Sequence, residues 1–178
     1  MKLGVAYNIF DGEEMLIHSL RNLSPMVDYI CVVYQTTSNF GNKNTNLEKV
    51  LKSYKALGLI DFMYHYNPEI EKDDNGKIDW KNGTENEFKK RNIGLDICRA
   101  NKCDAFMTID CDELYDNSQF NFAKKDFEQG GYDTSFTQMR TFYKEPIYEV
   151  TPPEEYYCPL FYRIKKDTAF TYEFANPY

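Results

Sequence analysis

Two aspartates separated by one residue, Asp110 and Asp112, close a run of apolar and β-capable residues, Ala105-Phe106-Met107-Thr108-Ile109. Side chains alternate along a strand at about 3.3 Å per residue, so the two carboxylates are expected to point the same way, about 6–7 Å apart, with Cys111 on the opposite side. Paired carboxylates at the carboxyl end of a strand form a hard oxygen site for Mg2+ or Mn2+ and leave coordination positions free for a phosphate-bearing ligand. The plainer alternative is a strand end whose two acids merely cap the following turn.

Such a pair needs a strand to deliver it and other strand ends beside it. Residues 3–7, Leu-Gly-Val-Ala-Tyr, read as a short buried strand followed by a loop over 8–12. Glu13 and Glu14 suit a helix amino terminus, and Met15, Leu16, Leu20 and Leu23 continue at helical spacing to Pro25. Residues 29–34 have too little polar alternation for a surface strand, which predicts a central, parallel one. Leu47, Val50, Leu51, Tyr54 and Leu57 make an amphipathic helix stopped by Gly58. Residues 59–66 supply a third strand, ended by Asn67-Pro68. A charged insert over 69–84 carries the tight-turn pair Asn75-Gly76. Its Glu71, Asp73, Asn75 and Gly76 imitate half a calcium loop, but Asn82 stands where a bidentate Glu is needed, so a turn is the better reading. A helix over 85–101 then leads into the strand that bears the aspartates.

The order β-α-β-α-β-α-β predicts a three-layer α/β/α, Rossmann-like domain with a mainly parallel central sheet and right-handed crossovers. Beyond the aspartates, strands are expected over 132–139 and 160–164. The Tyr-, Glu- and Pro-crowded stretch 143–159 between them suits an edge or a loop covering a substrate. With no repeat and no low-complexity linker, residues 1–178 read as a single domain. Its end at Asn176-Pro177-Tyr178, without a closing helix, fits a domain excised from a longer protein.

A net charge of −7 and a pI near 4.9 argue against a nucleic acid or an anionic membrane surface as partner. A small diphosphate stays compatible, because one divalent ion and one or two local Arg or Lys neutralise it. The five cysteines include no C-x-x-C pair, and only His18 and His65 could complete a zinc site, so reduced, mostly buried thiols in a cytoplasmic protein are expected. Cys111 makes a poor thiol nucleophile, since acidic neighbours raise a thiol pKa. Asn8 and Asp11 interrupt the first apolar run, which therefore reads as neither a signal peptide nor a membrane span. Nothing in the sequence implies a protein partner.

Ligands of open α/β sheets bind outside the carboxyl ends of the strands. Three polar clusters fall at such ends: Tyr7-Asn8, Gln35-Thr36 and Asp110-x-Asp112. Lys89-Lys90-Arg91-Asn92, on the helix before the fourth strand, adds positive charge, although Arg91 can equally pair with Glu87 at i, i+4. With Ala6-Tyr7-Asn8 ending the first strand, Glu13-Glu14 opening a helix, and Lys90-Arg91-Asn92-Ile93-Gly94 preceding the D-x-D strand, the chain resembles the GT-A fold glycosyltransferases. The likeness is to the inverting family 2 nucleotide-sugar transferases, over roughly the first two thirds of the chain. It departs from them at Gln35-Thr36-Thr37-Ser38, where the family carries a D-D-G-S-like segment, and in lacking a recognisable downstream acid.

The resemblance implies that Ala6, Tyr7, Asn8, Gln35, Arg91, Asp110 and Cys111 contact the nucleotide and that Asp110 and Asp112 hold Mn2+ or Mg2+. The implied reaction moves a sugar from a nucleoside diphosphate sugar, of the UDP class, to a hydroxyl acceptor such as a glycan. Inversion would need a carboxylate base, for which Glu154, Glu155 and Glu173 are unranked candidates, and retention stays open. Three other functions compete. A haloacid-dehalogenase-type phosphatase wants Thr or Val where Leu114 stands. A nucleotidyltransferase wants a Gly-rich, Arg-bearing loop that residues 8–12 lack. A non-catalytic nucleotide-sugar-binding module needs no base at all.

Overall fold

Alternation along the first strand sorts the layers of the molecule. The computed structural model describes residues 1–72, 76, 80–145, 147–152 and 155–171. In β1 (Leu3–Ile9) the odd positions Leu3, Val5, Tyr7 and Ile9 enter the larger core, while Ala6 enters a smaller one on the opposite face. Helix α1 (Glu13–Leu23) lays Leu16, Leu20 and Leu23 on the larger core. There follow β2 (Tyr29–Tyr34), α2 (Leu47–Ala56), β3 (Phe62–His65), α3 (Trp80–Ala100), β4 (Ala105–Ile109), α4 (Asn117–Gly130), β5 (Thr134–Gln138) and β6 (Tyr157–Arg163).

The six strands form one sheet in the order β3-β2-β1-β4-β6-β5. β1 pairs in parallel with β2 and β4, β2 pairs in parallel with β3, and β6 runs antiparallel to both β4 and β5. Leu47 and Leu51 of α2 and Phe120 and Phe127 of α4 share the core beneath α1. Leu95 and Cys98 of α3 pack on the other face with Ala6, Cys31 and Phe106. These are the three layers and the mainly parallel sheet that the sequence predicts. The chain moves outward through β1, β2 and β3 with α1 and α2 on one face, then returns through α3 on the other face to place β4 beside β1. A single crossover hand requires that change of face. The carboxyl ends of β1 and β4 therefore flank the point where strand order reverses, which is where ligands of open α/β sheets bind.

Close approach of α3 to the sheet depends on Gly94. A Cβ there would lie 2.5 Å from the Ala6 Cβ, inside any allowed contact. The two small residues let the helix axis come down on β1.

Three boundaries and one helix stand out against expectation. The third strand is limited to Phe62–His65, because Asp61 already turns its carboxylate to the Ile30 amide (2.7 Å) while its own N–H meets the Ile30 carbonyl. Helix α3 starts at Trp80 instead of 85. Asn86, on its inner side, joins it to the preceding segment by donating to the Glu69 carbonyl (2.8 Å) and accepting from the Glu69 amide (3.1 Å). β6 starts at Tyr157, three residues before expectation. Helix α4 has no counterpart in the sequence reading. It is capped by the Asp116 carboxylate, which accepts from the Gln119 amide at 2.8 Å, and stops at Gly131 with φ 66°. Asp73 and Asn75, on which the tight turn and the calcium-loop imitation rest, lie outside the described residues.

Candidate active site

β4 ends at Ile109, so the aspartates occupy a turn and not the strand itself. The Glu113 amide donates to the Asp110 carbonyl at 3.4 Å and closes that turn. Strand alternation therefore does not set the spacing of the two carboxylates; the turn does. Both are exposed and line one cleft of roughly 880 Å3 together with Asn8 and the β1–α1 loop. Cys111 also borders the cleft, but its Sγ reaches across to the Asp11 carbonyl at 3.5 Å.

Asp11, Glu13, Glu14, Asp110 and Asp112 bring five carboxylates to the lining, and no Lys or Arg is among the described lining residues. Asn44 secures the loop on its far side, its Nδ2 donating to the Phe10 carbonyl (2.9 Å) and to the Glu13 carboxylate (3.2 Å). The Asp110 carboxyl has an open outer edge, yet the protein around it removes enough water to raise its pKa. The Arg91 guanidinium opposes that rise, and the charges of Glu87 and Asp112 add to it. Glu113 is raised for the same first reason, against the hydrogen bond it accepts from the Tyr115 hydroxyl at 2.8 Å. Burial, then Asp112 and Asp110, push the Cys111 thiol up to about 11, so it stays protonated near neutral pH and is a poor nucleophile.

The residues singled out in the sequence take different positions. Asn8 faces the cleft and donates from Nδ2 to Thr108 Oγ1 at 2.9 Å, while its buried Oδ1 has no protein partner. Ala6 is fully buried under Gly94. Tyr7 is fully buried too, its hydroxyl 2.9 Å from Ser19 Oγ within the core. Gln35, 1% exposed, donates to Asn39 Oδ1 at 3.2 Å and leaves its own Oε1 unpartnered. These three side chains are closed off from the cleft. Arg91 lies 3.3 Å from Glu87, whose other oxygen takes the buried Lys90 ammonium at 2.8 Å. The Arg91 charge also reaches Asp110. Asn92 instead holds the chain after β6, exchanging two 2.8 Å hydrogen bonds with the Phe170 backbone. Among the candidate bases, Glu155 is exposed just before β6, whereas Glu154 and Glu173 lie outside the described residues.

Among the described residues no three His, Cys, Asp or Glu side chains are grouped to hold a metal by themselves. Two exposed carboxylates, of which Asp112 raises the cost of charging Asp110, fit a cation such as Mg2+ or Mn2+, which takes one or two protein carboxylates and fills its remaining positions with water and phosphate.

Some residues of the site are not evident from motif matching. Ser19 and Asn22 interrupt the apolar stripe of α1, and both turn out to bond to the chain just after Asp112. Polar side chains three apart on the inner face of a helix were the available signal, since buried polar groups need partners.

A second structure rises from the same sheet edge. β5 runs in the direction of β4, because both are antiparallel to β6, so the chain leaves β5 at the edge that carries the aspartates. Residues 141–143 and 148–150 pair with one another, with Tyr143 N–H to the Tyr148 carbonyl (2.9 Å) and Val150 N–H to the Thr141 carbonyl (2.8 Å). Phe142 pairs with Glu149, so Tyr143, Tyr148 and Val150 share the opposite face of this arm. The two tyrosines are 64% and 59% exposed, and the Lys144 ammonium lies over the Tyr143 ring at 5.1 Å. Arg140 and Glu149 close the base of the arm with two bonds of 2.7 and 2.6 Å.

No family model and no curated protein matches the chain. Two solved structures of TarS from S. aureus, a glycosyltransferase, are similar to it. The TarS 1-349 structure superposes with a TM-score of 0.51 at 12% identity, over 75% of this chain and 34% of that one. A second TarS structure gives the same score and identity over 82% of this chain and 24% of the other. The chain thus spans about a third of the length of the first and a quarter of the second. At this identity the likeness is one of fold alone, a distant match of the mainly parallel α/β sheet that does not single out family 2.

Proposed function

We propose that the chain is a glycosyltransferase that moves a sugar from a nucleoside diphosphate sugar, of the UDP class, to a hydroxyl acceptor such as a glycan, with Mn2+ or Mg2+ bound by Asp110 and Asp112. The observation that carries this reading is the acidic cleft at the β1/β4 reversal point. A diphosphate would be repelled by a lining of five carboxylates unless a cation stood between them. The fold shared with TarS supports the reaction class.

When bound, the metal neutralises negative charge that develops on the leaving diphosphate. The chain's own residues do the rest. Asp112 and Asp110 orient the cation; Asn8, with an orphaned buried oxygen at the cleft wall, offers an acceptor to a ligand N–H or O–H. Arg91 opposes the rise in the Asp110 pKa and supplies positive charge from the α3 side. Glu155, exposed at the same sheet edge, is the described candidate to take a proton from the acceptor hydroxyl. The aromatic arm over 141–150 is the acceptor platform, since tyrosine rings stack on sugar faces while their hydroxyls bond to sugar oxygens.

The test is hydrolysis of UDP- and GDP-sugars with Mn2+, repeated after Asp112→Ala. Metal-dependent release of nucleoside diphosphate, abolished by the substitution, supports the transferase. Phosphate release from a monoester would make it a phosphatase, and nucleotide binding without turnover would make it a binding module.

A further inference from the structure

The turn that carries the aspartates has no regular structure of its own, and α1 holds it at three points. At the first, Gly12 (φ 79°), which precedes α1, lies directly under Cys111. At the second, Ser19 Oγ donates to the Glu113 carbonyl at 2.7 Å. At the third, Asn22 makes a reciprocal clamp on Tyr115: its Oδ1 accepts from the Tyr115 amide at 2.8 Å and its Nδ2 donates to the Tyr115 carbonyl at 2.9 Å. The clamp extends on both sides. Asn22 Nδ2 also lies 3.1 Å from Asn117 Oδ1, at the start of α4, and Ser19 Oγ is 2.9 Å from the buried Tyr7 hydroxyl. Tyr115 in turn bonds to the Glu113 carboxylate, next in sequence to Asp112.

Local helix stability does not ask for these groups. Ser and Asn are poor residues for a helix interior, and Ser19 is fully buried on the stripe where Leu16, Leu20 and Leu23 pack. An apolar residue at 19 would strengthen that stripe. What the polar residues provide is a fixed backbone path from 113 to 115, and hence a fixed approach of Asp112 to Asp110. We infer that Ser19 and Asn22 are positioning residues for the Asp110–Asp112 pair, acting through the backbone of Glu113 and Tyr115. This rests on the reading of that pair as the cation site, and it adds residues of α1 that touch neither metal nor substrate.

The experiment measures Mn2+ affinity by paramagnetic resonance titration, in the presence of UDP, for the whole chain and for Asn22→Ala, Ser19→Ala and Leu23→Ala. Amide hydrogen exchange of each metal-free protein is followed in parallel. Outer partners of metal ligands typically change affinity about 10–100-fold, and a weakening of about tenfold is expected for Asn22→Ala. Faster exchange confined to residues 111–116 is expected with it. Leu23→Ala removes core packing from the same helix but leaves the clamp, so its folded form should keep wild-type affinity. If Asn22→Ala fails to fold, Ser19→Ala, which loses only a hydroxyl, carries the test. Wild-type affinity in the two polar variants, or equal weakening in all three, overturns the inference and leaves the cation site standing. Absence of Mn2+ binding by the unaltered chain overturns both.

Discussion

A Cβ added to Gly12 would stand 2.4 Å from the sulfur of Cys111. The β1–α1 loop and the aspartate turn are therefore seated directly on one another, and the middle residue of D-x-D is a packing contact between the two walls of the cleft. Gly12 also has φ 79°, which side chains other than glycine adopt at a cost. Gly12→Ala is expected to destabilise the fold by about 1–3 kcal/mol through the backbone alone, with a further loss from the clash. Adding Cys111→Ala should return the second part and not the first, since the nearest remaining atom would be the Cβ at 4.0 Å. Urea unfolding of both single variants and the double variant measures this. Strict additivity would show that the contact is not felt.

The acid pair should make stability fall as pH rises through the carboxylate range. Asp110 and Glu113 both have folded-state pKa values above the ordinary ones, chiefly because water is excluded around them. A raised folded-state pKa means that the native state holds the proton longer than the unfolded chain does. Stability contributed by protonation is complete below the ordinary range and is lost as pH climbs through the raised value. Asp110→Asn removes one of these costs. The variant is expected to unfold at higher urea concentration than wild type at neutral pH, with the advantage vanishing below about pH 4. Mn2+ should stabilise wild type and not the variant. Equal urea midpoints at neutral pH would contradict the electrostatic assignment.

Gly94→Ala tests how tightly α3 is held down on β1. The new methyl would meet Ala6 Cβ at 2.5 Å, and overpacking of this kind costs about 1–3 kcal/mol. The complementary change Ala6→Gly should recover part of the loss in the double variant, read again from urea midpoints. A neutral Gly94→Ala would mean that the helix has room to spare.

The sequence made the sheet readable because β1, β2 and β4 are buried on both faces and so appear as apolar runs bounded by polar clusters. Tyr7 shows how far alternation can be pushed: it shares parity with Leu3, Val5 and Ile9, which assigns it to the larger core, whereas Asn8 shares the parity of Ala6 on the α3 face and bonds there to Thr108. Motif matching alone groups both with the nucleotide contacts. Helix α4 escaped because only Phe120 and Phe127 anchor it, a spacing too sparse for a periodicity signal; its Asp116-x-x-Gln119 cap and Gly131 stop were the better clues. The aspartate pair was readable as a polar cluster at a strand end, but its geometry was not, since a turn braced by distant side chains replaces the strand. Contacts such as Ser19 to Glu113, 94 residues apart, leave no local trace.

The exposed arm should matter to transfer and hardly to folding. Tyr143 and Tyr148 bury little, so the double change Tyr143→Ala/Tyr148→Ala is expected to shift stability by no more than about 0.5 kcal/mol per site. Donor hydrolysis in the absence of acceptor should persist, while the KM for acceptor rises. A fall in donor hydrolysis to match would remove the arm from acceptor binding and assign it to the donor side.

The most direct measurement is calorimetry of UDP binding with and without Mn2+, on wild type and on Asp112→Asn. The expected result is binding that requires Mn2+ and disappears in the variant, because a cleft lined by Asp11, Glu13, Glu14, Asp110 and Asp112 repels a bare diphosphate. UDP bound equally well in the presence of a chelator, or unaffected by Asp112→Asn, would contradict the cation bridge on which the proposed reaction depends.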